Sequence, residues 1–122
     1  RWALLKHIQS QHLHDRFHFD LLLEDKEDCR SWRLDKLPQV DGPVLKVIPI
    51  LPHNLSWLTC EGREVSGGRG WASPVASGYF LGELPIDYGI PFSIELLGDD
   101  LNGKLDMEQS ECRFTSTKIF NF

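Results

Sequence analysis

The sequence predicts a mainly β fold, a small single-domain barrel of about seven or eight short strands with long loops, running over residues 1–122. Three observations predict it. The chain has 122 residues, enough for one compact domain and too few for two ordinary ones. Ten glycines and seven prolines interrupt it so often that few windows can hold a helix of about 12 residues. Between the interruptions, short runs alternate apolar and polar with a period of two, the pattern of strands with one buried face.

The clearest alternation sets Phe17, Phe19, Leu21 and Leu23 on one parity against His18, Asp20, Leu22 and Glu24 on the other, a strand with one apolar face. Further strands are predicted at 29–34, 44–50, 55–60, 78–81, 92–97, 104–108 and 113–120. Those at 92–97 and 104–108 form a hairpin, because Gly98-Asp99-Asp100 and Asn102-Gly103 supply turn residues that tolerate positive φ. Residues 64–77, with Gly67, Gly68 and Gly70 ahead of Pro74, read as a long irregular loop, the kind of segment that often carries function. Trp32, inside an alternating strand, reads as core, and Trp71 and Tyr79, which flank that loop, as anchors for it ahead of stacking surfaces for a base.

Composition narrows the function classes. Lys plus Arg is 13 against 18 Asp plus Glu, a net charge of −5, which argues against whole-surface nucleic-acid binding and leaves room for a local site built on a metal or a few cations. Cys29, Cys60 and Cys112 are an odd number at wide spacing with no C-x-x-C pair, which fits a reducing, cytoplasmic setting. No apolar stretch approaches the ~20 residues that cross a bilayer, so no membrane association is expected. The Gly67-Gly68-Arg69-Gly70 run is no phosphate-cradling loop, since no Lys-Ser or Lys-Thr pair follows it and no βαβ unit surrounds it.

The histidines are the most informative feature. Four of five, His7, His12, His14 and His18, fall within 12 positions, and Asp20 follows at once. On an extended segment His12 and His14, or His18 and Asp20, share a face, and imidazole with carboxylate suits a divalent transition metal. A helix would instead align His7, Gln11, His14 and His18, and clustered histidines also occur as plain solvated side chains.

The run Gln11-His12-Leu13-His14-Asp15-Arg16-Phe17-His18-Phe19-Asp20-Leu21-Leu22-Leu23-Glu24 resembles the opening motif, H-x5-H-x-D-x-R-x-E, of the 3′-phosphoesterase domain of bacterial DNA ligase D and its stand-alone bacterial and archaeal relatives. Downstream, Ser31-Trp32-Arg33-Leu34-Asp35-Lys36-Leu37-Pro38 resembles the family's S-W-x-x-x-K-x-P, and His53-Asn54-Leu55-Ser56-Trp57 with Glu61-Gly62 resembles its H-P-x-x-Y…E-G. Gly67 and Gly70 stand at its P-x-G-x-Y-G, and Leu97-Gly98…Leu101-Asn102-Gly103 at its closing hairpin, so the resemblance covers nearly the whole chain in order. It implies a small β-barrel whose crevice binds a divalent metal, typically manganese with zinc as an alternative, and the 3′ end of a DNA strand or primer–template. The metal ligands it implies are His12, His18 and Asp20, with His7 and His14 outside the coordination. His53 would contact the scissile phosphate, and Lys36 matches a lysine that assists phosphate removal. The implied activity is removal of a 3′-phosphate or 3′-ribonucleotide in DNA repair, beside a DNA ligase or end-joining factor. Acid should then release the metal near the ordinary histidine pKa of about 6.5.

Several departures set the chain apart from the family, and those at Leu22, Leu45 and the closing hairpin remove phosphate-binding charge. Leu22 replaces the family arginine, at a position whose parity with His18 and Asp20 aims it at the crevice. Trp57 replaces a tyrosine, losing a hydroxyl and keeping a ring on which a base can stack. Leu45 stands near an expected arginine, the acidic residue before His53 is missing, and the closing hairpin carries Asp99, Asp100, Asp106 and Glu108. Arg69 in the glycine-rich loop is the candidate replacement for the lost cation, with Arg63 beside it. Two functions of different class follow: a metal-dependent 3′-phosphoesterase, or a catalytically weakened relative that binds a metal and a nucleic-acid end or a partner protein.

Overall fold

A computed structural model describes residues 1–9, 16–65 and 70–117. It is mainly β, with strands β1 (Trp2–Gln9), β2 (Arg16–Glu24), β3 (Cys29–Leu34), β4 (Leu45–His53), β5 (Arg63–Glu64), β6 (Trp71–Leu81), β7 (Phe92–Gly98), β8 (Gly103–Met107) and β9 (Glu111–Thr115). A single antiparallel sheet in the order β1-β2-β3-β4-β9-β8-β7-β6-β5 closes in a ring through a further β1–β6 pairing. Closure satisfies the backbone groups that an open sheet leaves at its edges. The seam between β4 and β9 is the shortest in the ring, only Leu45↔Cys112 and Lys46↔Glu111. No helix among the described residues is long and apolar enough to cross a membrane.

The ring's interior is its main core. Phe19, Leu21 and Leu23 of β2 meet Trp2, Leu4, Trp32, Leu34, Ile94, Leu96 and Phe114 there, and the two tryptophans are fully buried. Trp32 thus sits in the core as its alternation predicts. The hairpin of β7 and β8 also forms, with Ile94 opposite Leu105.

Three segments depart from the sequence-based expectation. Residues 2–9 form a strand that alternation does not announce, because β1 is buried on both faces: Trp2 and Leu4 point into the ring, while Ala3 and Leu5 join a second apolar cluster with Leu22, Cys29 and Leu58. Residues 55–60, expected as a strand, instead hold a 3-10 helix, Leu55–Thr59, whose Asn54 cap accepts a hydrogen bond from the Ser56 amide at 2.9 Å. Its apolar residues Leu55, Trp57 and Leu58 face the second cluster, so their spacing serves a cover and not a strand face.

The third departure is 64–77, which is no irregular loop throughout. Arg63–Glu64 and Trp71–Leu81 pair with each other, and β6 also pairs with β1 and β7. The strand survives Pro74 because the β1–β6 register slips there, Leu4 facing Ala76 and Leu5 facing Pro74, a bulge that accommodates a residue lacking an amide donor. Gly70, at φ +106°, lies where any Cβ would collide with the Ile8 carbonyl, so glycine is what lets this strand start against β1.

Candidate metal and phosphate site

The outer face of β1, β2 and β3 carries the chemistry. Antiparallel register places His7 opposite His18, Asp20 between Leu5 and Arg33, and Leu22 between Ala3 and Ser31. At one end of this patch the 3-10 helix covers Ala3, Leu5 and Leu22 with apolar side chains. The other end is polar and borders a cavity of about 750 Å³, lined among others by His7, Asp20, Arg33, His53 and Trp57.

The polar groups touch in series. His7 Nδ1 lies 3.1 Å from His18 Nε2, and that same nitrogen lies 3.4 Å from Asp20 Oδ1. Asp20 Oδ2 is 3.8 Å from His53 Nε2, and Arg33 Nε is 3.9 Å from Asp20 Oδ1. On its far side His53 Nδ1 meets Ser31 Oγ at 2.8 Å, while the Ser31 hydroxyl donates to the Cys29 carbonyl at 3.0 Å. A hydroxyl has one proton, so Ser31 accepts from His53 Nδ1–H, and the neutral ring turns its bare Nε2 toward Asp20.

His7, His18 and Asp20 offer one ligand atom each within 4.8 Å of one another, and all three residues are buried. Donor atoms that share one transition-metal ion at about 2.0–2.2 Å stand about 3–3.5 Å apart, the spacing of the His7–His18–Asp20 chain. Asp20 Oδ1 is buried with no hydrogen-bond partner, a costly state for a carboxylate that a cation would relieve. The donor set therefore fits a divalent ion.

The electrostatics point the same way. Burial raises the Asp20 carboxyl to about 6 against the opposing pull of Arg33, and burial, with the charge of Arg33, lowers His18 to about 4. Burial also lowers His53, partly offset by the Leu51 carbonyl. The bare site thus shifts both His18 and Asp20 toward their neutral forms relative to water. Acid competition with a cation then falls first on Asp20, not on His18 as the ordinary histidine value suggests.

Of the residues that the sequence singles out, His18, Asp20, His53 and Trp57 come together here. His12 and Arg69 lie outside the described residues, as does His14. Lys36 is exposed in the connection after β3 and is not among the residues lining the cavity. Arg63 stacks its guanidinium 3.5 Å from the Trp57 ring centre and donates to Ser56 Oγ at 3.1 Å, so one face of the indole is already covered. Leu22 has the parity expected of it but not the setting: it is fully buried under the 3-10 helix and lines no part of the cavity.

The expectation that His7 lies outside the coordination is corrected by the His7-His18-Asp20 group, and the sequence reading passes over Arg33 and Ser31. His7 falls outside the H-x5-H-x-D pattern and enters only because β1 pairs with β2 in the register that sets it opposite His18. Arg33 and Ser31 share a parity on β3, the one signal available, but which carboxylate and which imidazole they meet depends on cross-strand register.

A scan against protein-family models finds no match for the chain, and a search of curated proteins finds none either.

Proposed function

We propose that this outer-face site is the centre of a metal-dependent phosphoesterase that removes a 3′-phosphate or 3′-ribonucleotide from the end of a DNA strand. The observation that carries the proposal is the approach of His18 and His53 to Asp20 at the cavity wall, with Asp20 left holding an oxygen that has no hydrogen-bond partner among the described residues. His18 and Asp20 would hold the cation with His7 as the described third donor. Imidazole and carboxylate ligands suit manganese or zinc. The chemistry that a divalent ion would supply at these residues is polarisation of a phosphoryl oxygen and a lowered pKa for water.

The chain's own groups supply the rest. Ser31 holds the His53 ring by Nδ1, which leaves Nε2 to take a proton as an anionic phosphate arrives and to donate it to a phosphoryl or leaving oxygen. Asp20 carries the ligand charge that keeps the site's cation in place. Trp57, with one face under Arg63, narrows the cavity beside His53, the two rings standing edge to face with centres 6.2 Å apart.

The test is manganese-dependent release of phosphate from a 3′-phosphorylated primer–template, with metal content measured alongside. Activity should vanish in His18→Ala, Asp20→Ala and His53→Ala. Activity that persists in Asp20→Ala, or a wild-type protein that neither binds manganese nor releases phosphate, would end this reading. A second reading, a relative that binds a metal and a nucleic-acid end or partner without turnover, is favoured by one observation: the family arginine position is a buried leucine. Manganese binding with no phosphate release in any variant would select it.

A further inference from the structure

We infer that Arg33 is the phosphate-binding cation of this site, and that the site is built for a single terminal phosphate group and not for a run of phosphodiesters. The inference rests on the phosphoesterase reading and names the substrate chemistry for it.

Among the described residues that line the cavity, Arg33 is the only lysine or arginine. Its side chain is 42% exposed, so the guanidinium reaches the cavity space. Among the described residues its nearest carboxylate, Asp20, stands 3.9 Å from Nε, too far for a hydrogen bond, and Nε is buried without a hydrogen-bond partner. An arginine in that state is a fork with its strongest acceptor not yet in place. A cation bound by Asp20 would use the carboxylate's charge and turn Arg33 further toward an incoming anion. A phosphate reaching between Arg33 and His53 would meet donors from both, since both residues converge on Asp20.

The remaining walls set the substrate class. Pro49, Ile50, Leu51, Pro52 and Val65 present apolar surface, which offers nothing to further phosphates along a strand and can seat the organic part of an ester. One guanidinium therefore recognises one terminal phosphate, and duplex tracking by several basic side chains has no counterpart among the described residues of this cavity.

The experiment titrates inorganic phosphate into manganese-saturated wild type, Arg33→Gln and Arg33→Lys, with manganese affinity measured separately for each. Wild type should bind phosphate. Arg33→Gln should bind manganese at least as tightly, since a nearby positive charge is gone, and phosphate roughly 10-fold or more weakly, the loss of one charge-assisted pair. Arg33→Lys should fall between them, having the charge without the fork. Equal phosphate affinity in wild type and Arg33→Gln overturns the inference and makes Arg33 a mere counterion of Asp20, while the phosphoesterase reading stands. Loss of manganese binding in Arg33→Gln also overturns it, as a role in holding the ligands. Wild type that binds manganese and no phosphate removes the phosphoesterase reading itself, and the role of Arg33 with it.

Discussion

Phe19, Leu21 and Leu23 point into the ring, and His18, Asp20 and Leu22 point out of it, so consecutive residues of β2 enter two different environments. The inner face meets apolar side chains from around the ring and has one task, to exclude water. The outer face is divided along the strand. Leu22 lies under the 3-10 helix in a small apolar cluster, and Asp20, two residues earlier, lies at the cavity with an oxygen that has no hydrogen-bond partner among the described residues. The difference teaches that parity assigns a residue to a face and says nothing about what lies on that face. The cover over the outer sheet decides which residue is core and which is site.

The largest expected effect tests that division directly. Leu22→Arg is expected to place an unpaired guanidinium among Ala3, Leu5, Cys29 and Leu58, and to destabilise the fold by about 3–5 kcal/mol or more. Denaturant unfolding measures it. A variant as stable as wild type, with stronger phosphate release, would show that position 22 opens to the cavity after all. On the inner face Leu21→Ala should cost about 3 kcal/mol through lost burial and the cavity left behind, while manganese affinity of the folded protein stays unchanged. Weakened metal binding in that variant would mean that the two faces are not independent.

A smaller effect concerns the charge at the polar end. Before a cation binds, the folded-state value for Asp20 is about 6, above its unfolded value of 3.8, so between those pH values the folded protein keeps a proton that the unfolded chain has lost. Stability from this group therefore falls as pH rises from about 4 to 6. His18 runs the other way, because its folded value of about 4 lies below 6.5 and the unfolded chain takes up the proton first; its contribution rises with pH over that window. In wild type the two slopes oppose. Asp20→Asn should expose the His18 slope, so that stability in a chelator climbs between pH 4 and 6.5, and should exceed wild-type stability above pH 6 by about 2–3 kcal/mol. An equally flat profile in both proteins would contradict the opposing shifts.

The smallest effect is Ser31→Ala, which removes the acceptor of His53 Nδ1–H and should cost about 1 kcal/mol. Imidazole nitrogen shifts should then show His53 losing its single tautomer, and an unchanged tautomer would mean that Ser31 does not set it.

Much of this was legible from residue order alone. Frequent glycine and proline with two-residue alternation is enough to specify a mainly β domain, since such segments cannot sustain helices and must bury one strand face. The same alternation assigns Phe19, Leu21, Leu23 and Trp32 to the core, and the local spacing of His18 and Asp20 puts imidazole and carboxylate on one face. Strand β1 escaped because burial on both faces erases the alternation, and 55–60 misled because apolar residues that cover a sheet resemble those that belong to one. What only the tertiary structure decided is which strands lie side by side and what covers them. Register brings His7 to His18 and Arg33 to Asp20 from positions 11 and 13 residues away, and it leads His53 to Ser31 across the β3–β4 pairing. These contacts are set by hydrogen-bonded neighbours in a closed ring, which local spacing does not encode, and by the 3-10 helix that seals Leu22 and leaves Asp20 bordering the cavity.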